Sequence, residues 1–326
     1  MKIAVTGASG HVGVNLCAAL LEKGYHVKAL AHRHTDVLKN LPVTMVMGDM
    51  LNKDSLKPLL TDTDVVFHLA AIISINGDRD GMVGRVNATG TRNILEVAMD
   101  CKVKRFIHFS SIHAFRQQPR HEPLDETRPL VDNEGFTYDR SKAAGERQVM
   151  EYVKKGLNAI VLSPTAIIGP ADPEPSLIGK AVIDICNHKI PSLVPGGYDW
   201  VDVRDVVSAS IAAIEKGRTG ERYLLSGNWH SLQEFSGLIC LHSGRKTVNT
   251  VLPMWMARCG LPFITMFSKI SGTTPLYTRE SLVIISEGNR MISSVKAKNE
   301  LNFSSRPLTE TIKDFLNWLK ANGSIQ

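Results

Sequence analysis

The sequence contains little cysteine. Its five cysteines stand far apart among 326 residues, and no two of them form a CxxC pair. This odd number at wide spacing argues against a disulfide framework and against a zinc site, and it favours reduced thiols in a cytoplasmic protein. The cysteines are Cys17, Cys101, Cys186, Cys240 and Cys259.

Long runs of positive charge are also absent. The formal net charge is +6, but no block of five or more Lys or Arg residues occurs. We therefore expect no nucleic-acid partner, although a mildly basic surface attracts phosphate-bearing cofactors. Hydrophobic residues make up 43% and charged residues 21% of the chain, which is typical of a globular protein and not of a disordered one.

No segment has the pattern of a secretory signal or of a membrane-spanning helix. The N-terminus enters a strand pattern directly, without a charged region, a long apolar region or a cleavage site. The most apolar stretch, Val251–Phe267, is interrupted by Arg258 and contains Pro253 and Pro262. It predicts a partly buried helix-turn-helix, with contact to a membrane surface as the alternative. The sequence leaves a homodimer open.

The first half of the chain alternates between strand and helix patterns. Repeated strand–helix–strand units need right-handed crossovers, and these build a parallel sheet that is covered on both faces. The pattern predicts the α/β class with a doubly wound Rossmann sheet. The predicted strands are Lys2–Thr6, His26–Ala31, Thr44–Met47, Asp64–Ala70, Arg105–Phe109 and Asn158–Leu162. The predicted helices are His11–Lys23, Asn52–Leu60, Val83–Cys101 and Tyr138–Lys155.

After Pro164 the pattern changes, and residues that break helices and strands become frequent. Loops are predicted at 169–175 and 191–197. The regular elements predicted beyond them are the helices Asp205–Lys216, Ser231–Ser243 and Thr309–Ala321 and the strand Tyr223–Leu225. We expect residues 1–165 to form a dinucleotide-binding domain and residues 166–326 to form mainly a smaller substrate-binding lobe, with some segments returning to the first domain.

A glycine-rich loop lies between the first strand and the first helix. It reads Gly7-Ala8-Ser9-Gly10-His11-Val12-Gly13, with the spacing GxxGxxG. Glycines let the backbone turn tightly and approach a pyrophosphate, and the free N–H groups at a helix N-terminus bind phosphate oxygens. Because the loop has this strand–loop–helix context, it predicts a dinucleotide site, with an ordinary glycine-rich turn as the alternative.

The end of the second strand bears on which dinucleotide binds. Sites for NAD usually place an acidic residue about 20 residues beyond the glycine loop, where it binds the ribose 2′-hydroxyl. Residues 29–34 contain no acid and instead contain His32 and Arg33, which could hold a 2′-phosphate. We therefore expect NADP(H), with NAD(H) as the alternative and a solvated surface arginine as the competing interpretation.

Two further segments follow strands and suit a bound cofactor. Asp49 and Met50 follow the third strand, where a carboxylate can accept from an adenine amino group or can cap the next helix. Leu69, Ala70 and Ala71 follow the fourth strand, and small residues at that edge let a cofactor lie across the sheet.

A YxxxK motif opens the predicted helix Tyr138–Lys155. Tyr138 and Lys142 are four residues apart, so their side chains lie on one helix face. A phenol has a pKa of about 10 and needs a nearby cation to transfer protons near neutral pH. Lys142 can supply that charge and can bind ribose hydroxyls, which makes Tyr138 the candidate acid/base of a carbonyl–alcohol conversion.

Ser111 follows the fifth strand, in the segment Phe109-Ser110-Ser111. A hydroxyl at that point can donate to the same carbonyl oxygen that Tyr138 protonates. A serine that bonds only its own backbone is the alternative. The combination with the glycine loop and with YxxxK favours the catalytic interpretation.

These motifs resemble those of the extended short-chain dehydrogenases/reductases over nearly the whole chain. The resemblance rests on TGASGHVG, GDM, HLAA, NATGT, FSS and YDRSK, and then on Pro164, Gly169-Pro170 and VDVRD. It is greatest to the dihydroflavonol-reductase-like branch, and next to the sugar-nucleotide epimerases and dehydratases and the 3β-hydroxysteroid dehydrogenases. It implies catalytic roles for Ser111, Tyr138 and Lys142. It also implies that Asn87, Pro164 and Ile167 line the cofactor, the last through its backbone beside the carboxamide.

Two segments depart from the pattern of that family. Ser163 precedes Pro164 where many relatives carry Arg or Asn, and Phe115-Arg116 stands where Tyr-Gly is usual. We expect both segments to line the neighbourhood of the substrate.

Three functions compete. The first is an NADPH-dependent reductase of an aldehyde or ketone, which apolar side chains in the lobe favour: Ile168, Leu177, Leu193, Val194 and Trp200. The second is a sugar-nucleotide epimerase or dehydratase with tightly held NAD. A diphosphate needs basic residues, and the lobe offers few: Lys180, His188 and Lys189, with Arg204 beyond them. The third is a non-catalytic NADP sensor, which would have no need of the three catalytic candidates.

Overall fold

The strands of the molecule form a large parallel sheet and a small mixed one. The computed structural model describes residues 1–32, 35–75, 77–78, 80–271 and 277–325, except the side chains of 264–271. The strands in this part of the chain are β1 (Lys2–Thr6), β2 (His26–Ala31), β3 (Thr44–Met47), β4 (Val65–His68), β5 (Arg105–Phe109), β6 (Ala159–Pro164), β7 (Ala166–Ile168), β8 (Gly197–Asp202), β9 (Arg222–Leu225) and β10 (Asn228–Ser231).

The large sheet has the order β3-β2-β1-β4-β5-β6-β9, and its strands are all parallel. The strands follow one another outward from β1 to β3 on one side and from β4 to β9 on the other. The chain therefore crosses from one half of the sheet to the other between β3 and β4. In a doubly wound sheet such a crossover leaves a crevice beyond the carboxyl ends of the strands. The predicted Rossmann fold is confirmed, and the crevice is where the predicted site residues should meet.

Helices cover both faces of the large sheet. The α-helices in the described part of the chain are α1 (His11–Glu22), α2 (Lys53–Leu60), α3 (Met82–Gly84), α4 (Thr91–Asp100), α5 (Thr137–Lys154), α6 (Leu177–Cys186), α7 (Val203–Lys216), α8 (Leu232–Ser243), α9 (Met254–Ser271), α10 (Arg279–Glu287), α11 (Val295–Leu301) and α12 (Leu308–Ala321). Side chains of α1, α7 and α11 pack against one face of the sheet. Side chains of α2, α4 and α5 pack against the other, and the strands between are buried on both sides.

A small sheet, which the sequence patterns did not predict, underlies the C-terminal lobe. Its order is β10-β8-β7, with β7 parallel and β10 antiparallel to β8. Trp200 on β8 stacks on Phe235 of α8, with ring centroids 4.0 Å apart. Together with Phe315 of α12 these rings belong to the lobe's own hydrophobic core. The predicted division of the chain at residue 165 stays a prediction.

The predicted helix Val83–Cys101 is not one regular helix. It consists of α3, a π-helical segment Arg85–Gly90, and α4. The irregular turn carries Asn87, which is buried and bonds the backbone of a neighbouring loop. A π turn is a common device for aiming such a side chain away from the regular helical position. The strand predicted at Asp64–Ala70 also differs, since it ends at His68, where the chain turns into the crevice.

The apolar stretch Val251–Phe267 is also organised differently from the prediction. One helix, α9, runs through Pro262, where a helix-turn-helix was expected. Proline removes one helical hydrogen bond, and here it lies on an exposed side where water can replace that bond. Trp255 and Phe263 are also exposed on α9, while the side chains of 264–267 lie outside the described ones. None of the described helices combines the length and the apolar character that crossing a bilayer needs.

Phe315 tests whether the lobe core contributes to stability. The side chain is 1% exposed, so Phe315→Ala should lower the free energy of unfolding by about 3–5 kcal/mol through lost burial and a residual cavity. Urea denaturation measures this change. Lys313→Ala on the exposed face of the same helix is the matched control and should change it by less than about 0.5 kcal/mol. Equal effects for the two variants would contradict the packing described.

Candidate active site

A deep cleft of about 1240 Å³ lies along the carboxyl ends of the large sheet. One wall is built by the loops that follow β1, β4, β5 and β6, and the other by α6, β8 and α10 of the lobe. Sixteen of the residues predicted from the sequence line it: Gly7, Ser9, Gly10, His11, Val12, His32, Asp49, Met50, Leu69, Ala70, Ala71, Ser111, Tyr138, Lys142, Pro164 and Ile167. Their roles stay predictions, but the fold brings them to one place.

The glycine loop forms a cradle with no room for a side chain at Gly7 or Gly13. Gly7 has a φ of +68°, and a Cβ there would lie 2.8 Å from the backbone nitrogen of Ala70. A Cβ on Gly13 would lie 2.2 Å from the carbonyl oxygen of Gly7. Helix α1 begins after Gly10, which brings no side chain to cap the first N–H groups. This cradle fits a dinucleotide pyrophosphate, which would accept hydrogen bonds from those N–H groups.

Two residues after β2 were predicted to bind a 2′-phosphate, and the structure describes one of them, His32. His32 lies with its Nε2 atom 3.8 Å from a carboxylate oxygen of Asp49, and both side chains are about half exposed. Asp49 also accepts a hydrogen bond of 2.9 Å from the backbone of Leu51. Helix α2 has Asn52 at its N-cap, so the alternative role of Asp49 as that cap is wrong. Arg33 lies outside the described residues.

Asn87 lies one layer behind the cleft wall and is not among its lining residues. Its side-chain oxygen accepts from the Ile72 nitrogen at 2.7 Å, and its amide group donates to the Ile72 oxygen at 2.9 Å. The same amide group donates to the hydroxyl of Ser141 on α5 at 2.9 Å. Asn87 therefore fixes the loop after β4 to the helix that carries Tyr138. The cofactor contact that the family resemblance implies for Asn87 stays a prediction.

Tyr138 and Lys142 lie one turn apart on α5 and face the end of β5. The ammonium group of Lys142, only 6% exposed, donates to the carbonyl oxygen of Phe109 at 2.5 Å. Burial lowers the pKa of Lys142 to about 8, opposed by the negative charge of Glu146. Burial raises the pKa of Tyr138 to about 12, opposed by a hydrogen bond with Ser111. The phenol is therefore neutral near pH 7, with a largely charged lysine beside it.

Ser111 bonds its own backbone, as one interpretation from the sequence has it, and its catalytic role stays a prediction. Its oxygen accepts a hydrogen bond of 3.2 Å from the backbone of His113, where it caps the short helix Ile112–Ala114. The same hydroxyl forms the hydrogen bond with Tyr138, because a serine oxygen can accept and donate together. The cap fixes the position from which Ser111 faces Tyr138.

A buried charged layer that sequence reasoning missed lies behind Lys142. Glu146, one turn further along α5, is fully buried and forms an ion pair with Arg222 of β9. Burial raises the pKa of Glu146, opposed by Arg222. Glu146 follows Lys142 at the helical spacing of four, which was the one sequence signal that could have found it. No sequence signal points to Arg222, because β9 reaches this place only through the fold.

The lobe wall of the cleft is largely apolar and aromatic. Tyr198 meets Trp200 edge to face at 5.3 Å, and Trp200 stacks on Phe235. Leu177 and Leu193 line the cleft as expected for an apolar substrate. Ile168 and Val194, which were grouped with them, are instead buried in hydrophobic clusters and do not line it.

Both departures from the family pattern lie away from the cleft, contrary to expectation. Ser163 is fully buried within β6, and Phe115 is fully buried among the side chains behind the β5 loop. Arg116 is half exposed and pairs with Asp132. These residues serve packing and surface pairing, so they carry no information about the substrate.

Comparisons with known proteins agree with this architecture. Residues 3–226 match the model of the NAD dependent epimerase/dehydratase family. The chain is 31% identical to sterol demethylase protein B of Methylococcus capsulatus, over 100% of both proteins. It is 29% identical to a putative dihydroflavonol 4-reductase of Synechocystis sp., over 99% of this chain and 95% of that protein.

A solved structure resembles the whole fold. The crystal structure of gox2253 has a TM-score of 0.86 and 28% sequence identity, over 100% of this chain and 99% of that one. The match of the family model covers more than half of the residues and includes the glycine loop, Ser111 and the YxxxK motif. The chain therefore belongs to the NAD-dependent epimerase/dehydratase family, and it is an NAD(P)-dependent enzyme of the extended short-chain dehydrogenase/reductase type.

Proposed function

We propose that this enzyme is an NADP(H)-dependent carbonyl reductase that converts an apolar ketone or aldehyde to the alcohol. The observation that carries the proposal is the composition of the cleft. Tyr138, Ser111 and Lys142 lie between the glycine cradle at one end and the aromatic wall of the lobe at the other. A volume of about 1240 Å³ exceeds that of most single-ligand pockets and suits a dinucleotide together with a bulky substrate.

The proposed chemistry uses the three polar side chains at fixed places. The bound nicotinamide supplies the hydride for reduction. Tyr138, neutral because of its raised pKa, donates the proton to the carbonyl oxygen. Ser111 donates a hydrogen bond to the same oxygen and holds it in place. The positive charge of Lys142 lowers the free energy of the phenolate that forms on Tyr138. The same ammonium group would bind the ribose hydroxyls and so orient the ribose.

The charges of the lobe favour a reductase over a sugar-nucleotide epimerase. A diphosphate needs several cations, and Lys180 is the one Lys or Arg of the described lobe residues that lines the cleft. Arg204 is engaged elsewhere, since it pairs with Asp202 and with Asp314 at 2.7 Å each. A non-catalytic sensor is less favoured, because cofactor binding alone would not need Ser111 and Tyr138 to face each other.

We also propose NADP(H) as the preferred cofactor and the cytoplasm as the location. The first rests on His32 and Arg33 in place of an acid at the end of β2. The second agrees with five cysteines that are all free in the structure. A homodimer and a contact of α9 with a membrane surface stay predictions.

Replacing Tyr138 tests the chemistry. Tyr138→Phe should leave NADPH binding nearly intact and lower turnover by about 100-fold or more, because only the proton donor is lost. Lys142→Met should weaken NADPH binding and also lower turnover. Absorbance of NADPH, followed with a panel of aryl and alicyclic ketones, should fall in step with alcohol formed. Tyr25→Phe, outside the cleft, is the control. Turnover of a sugar nucleotide without net loss of cofactor would contradict the reductase proposal.

Replacing Arg33 tests the choice of cofactor. Arg33→Ala should weaken NADPH binding by about tenfold or more, since a hydrogen bond to a charged group contributes about 1.5–3 kcal/mol. NADH binding should hardly change, which a fluorescence titration of each cofactor measures. Arg92→Ala, an exposed arginine on α4, should affect neither cofactor. Equal losses for NADPH and NADH in the Arg33 variant would rule out the 2′-phosphate contact.

The pH dependence of reduction tests the role of Lys142. Its pKa is lowered to about 8 by burial, so kcat/KM should fall as the pH rises through this value and the charge is lost. Glu146 raises that pKa, so Glu146→Gln should move the fall to lower pH. Glu151→Gln on the exposed face of α5 is the control and should not move it. If the fall in kcat/KM of Glu146→Gln moved to higher pH instead, Glu146 would not be raising the pKa of Lys142.

A further inference from the structure

A carboxyl group that the proposed chemistry does not use stands next to Tyr138. Asp139 lines the cleft and is only 9% exposed. Its Oδ1 atom is fully buried and has no hydrogen-bond partner among the described residues. Burial raises the pKa of Asp139 to about 7. A buried carboxyl oxygen without a partner is costly, and this cost is a reason to look for a ligand that supplies the partner.

His113 connects this carboxyl group to the catalytic tyrosine without neutralising it. Its Nδ1 atom lies 4.0 Å from Oδ1 of Asp139, which is too long for a hydrogen bond. Its ring meets that of Tyr138 edge to face, with centroids 6.4 Å apart. Burial lowers the pKa of His113 to about 4, so the ring is uncharged at neutral pH. The backbone of Phe136 and the charge of Arg140 lower the pKa of Asp139 against the effect of burial, while its Oδ1 atom keeps an open acceptor position.

A second carboxyl group reaches the same part of the cleft from the lobe. Glu280, at the start of α10, lines the cleft and is half-buried. Thr278 caps this helix and donates to the carbonyl oxygen of Ile75 at 2.7 Å, which joins the helix to the loop after β4. Burial raises the pKa of Glu280, and the charge of Asp139 raises it further. Both carboxyl groups therefore line the cleft, and the charge of one acts on the other.

We propose that Asp139 is a specificity-determining residue, which accepts a hydrogen bond from a hydroxyl group next to the reacting carbonyl and which, with Glu280, rejects anionic groups there. The substrate class that follows is a neutral hydroxyketone or hydroxyaldehyde with an apolar body. The body would lie along the aromatic wall of β8 and α8. This inference rests on the proposed reductase function, because Tyr138 is taken to hold the carbonyl oxygen.

Matched ligands test the inference by binding to the NADP⁺-loaded enzyme. The ligands are 2-hydroxyacetophenone, acetophenone, which lacks the hydroxyl, and phenylglyoxylate, which carries a carboxylate instead. Isothermal titration calorimetry at a pH above 8, where Asp139 is charged, should show 2-hydroxyacetophenone binding about tenfold more tightly than acetophenone, as one hydrogen bond to a charged acceptor predicts. Phenylglyoxylate should bind more weakly than both.

Two variants of Asp139 separate the acceptor from the charge. Asp139→Leu removes the acceptor and should abolish the preference for the hydroxyl. Asp139→Asn keeps an acceptor but removes the charge, so it should improve phenylglyoxylate binding and keep part of the preference. Retained NADPH affinity shows that each variant is folded. Asp184→Asn, a cleft-lining carboxyl group on α6 that pairs with Lys189, is the control and should leave the ligand order unchanged.

The outcomes distinguish this inference from the reductase proposal. No preference for the hydroxyl in the wild type, no binding of 2-hydroxyacetophenone, or an unchanged preference in Asp139→Leu would each overturn the inference. Reduction of acetophenone as fast as its hydroxylated analogue would overturn it while supporting the reductase. A preference in binding without NADPH consumption would support the role of Asp139 and contradict the reductase.

Discussion

The hydrogen bond between the Lys142 ammonium and the Phe109 carbonyl is the contact on which the arrangement of the cleft depends. It ties α5 to the end of β5, and so it sets Tyr138 opposite Ser111. A charge held away from water needs partners in fixed places, so α5 has little freedom to slide along the sheet. Glu146 and Arg222 extend the buried polar groups behind it as far as β9.

The cleft separates two kinds of chemistry along its length. At the crossover of the sheet, backbone N–H groups and small residues suit a phosphate-bearing cofactor. Towards the lobe, the walls become aromatic, and Asp139 and Glu280 add carboxyl groups rather than the cations that a diphosphate would need. The family is named for epimerases and dehydratases, and this distribution of charge supports the proposal of a reductase instead.

The sequence predicted features whose parts are close together in the chain. The glycine loop and YxxxK each occupy a few residues in a recognisable context, and the strands β1 to β3 have the predicted bounds. The small sheet was not predictable in this way, because its three short strands come from distant segments and none has a clear alternation. The group formed by His113, Asp139 and Glu280 was missed for the same reason, since long-range folding alone brings Glu280 to the other two.

Two residues that were expected near the substrate lie elsewhere, and the reason is physical. Ser163 and Phe115 are close in sequence to cleft residues, but alternate residues of a strand point to opposite faces and a turn can bury its first side chain. Both side chains therefore face the interior. A residue next to a site residue in the sequence need not line the site, because side chains alternate between the faces of a strand and the backbone changes direction at loops.

The π-helical segment Arg85–Gly90 limits how this family member can have diverged. A π turn accommodates about one residue more than an α-helical turn, so a deletion of one residue there would restore a regular helix. The turns on either side would keep nearly the same phase, but the residues inside the wide turn would take new positions. Asn87 would turn away from Ile72 and Ser141, and the loop after β4 would lose its attachment to α5. Substitutions can accumulate around this turn, whereas its length in residues must be inherited unchanged.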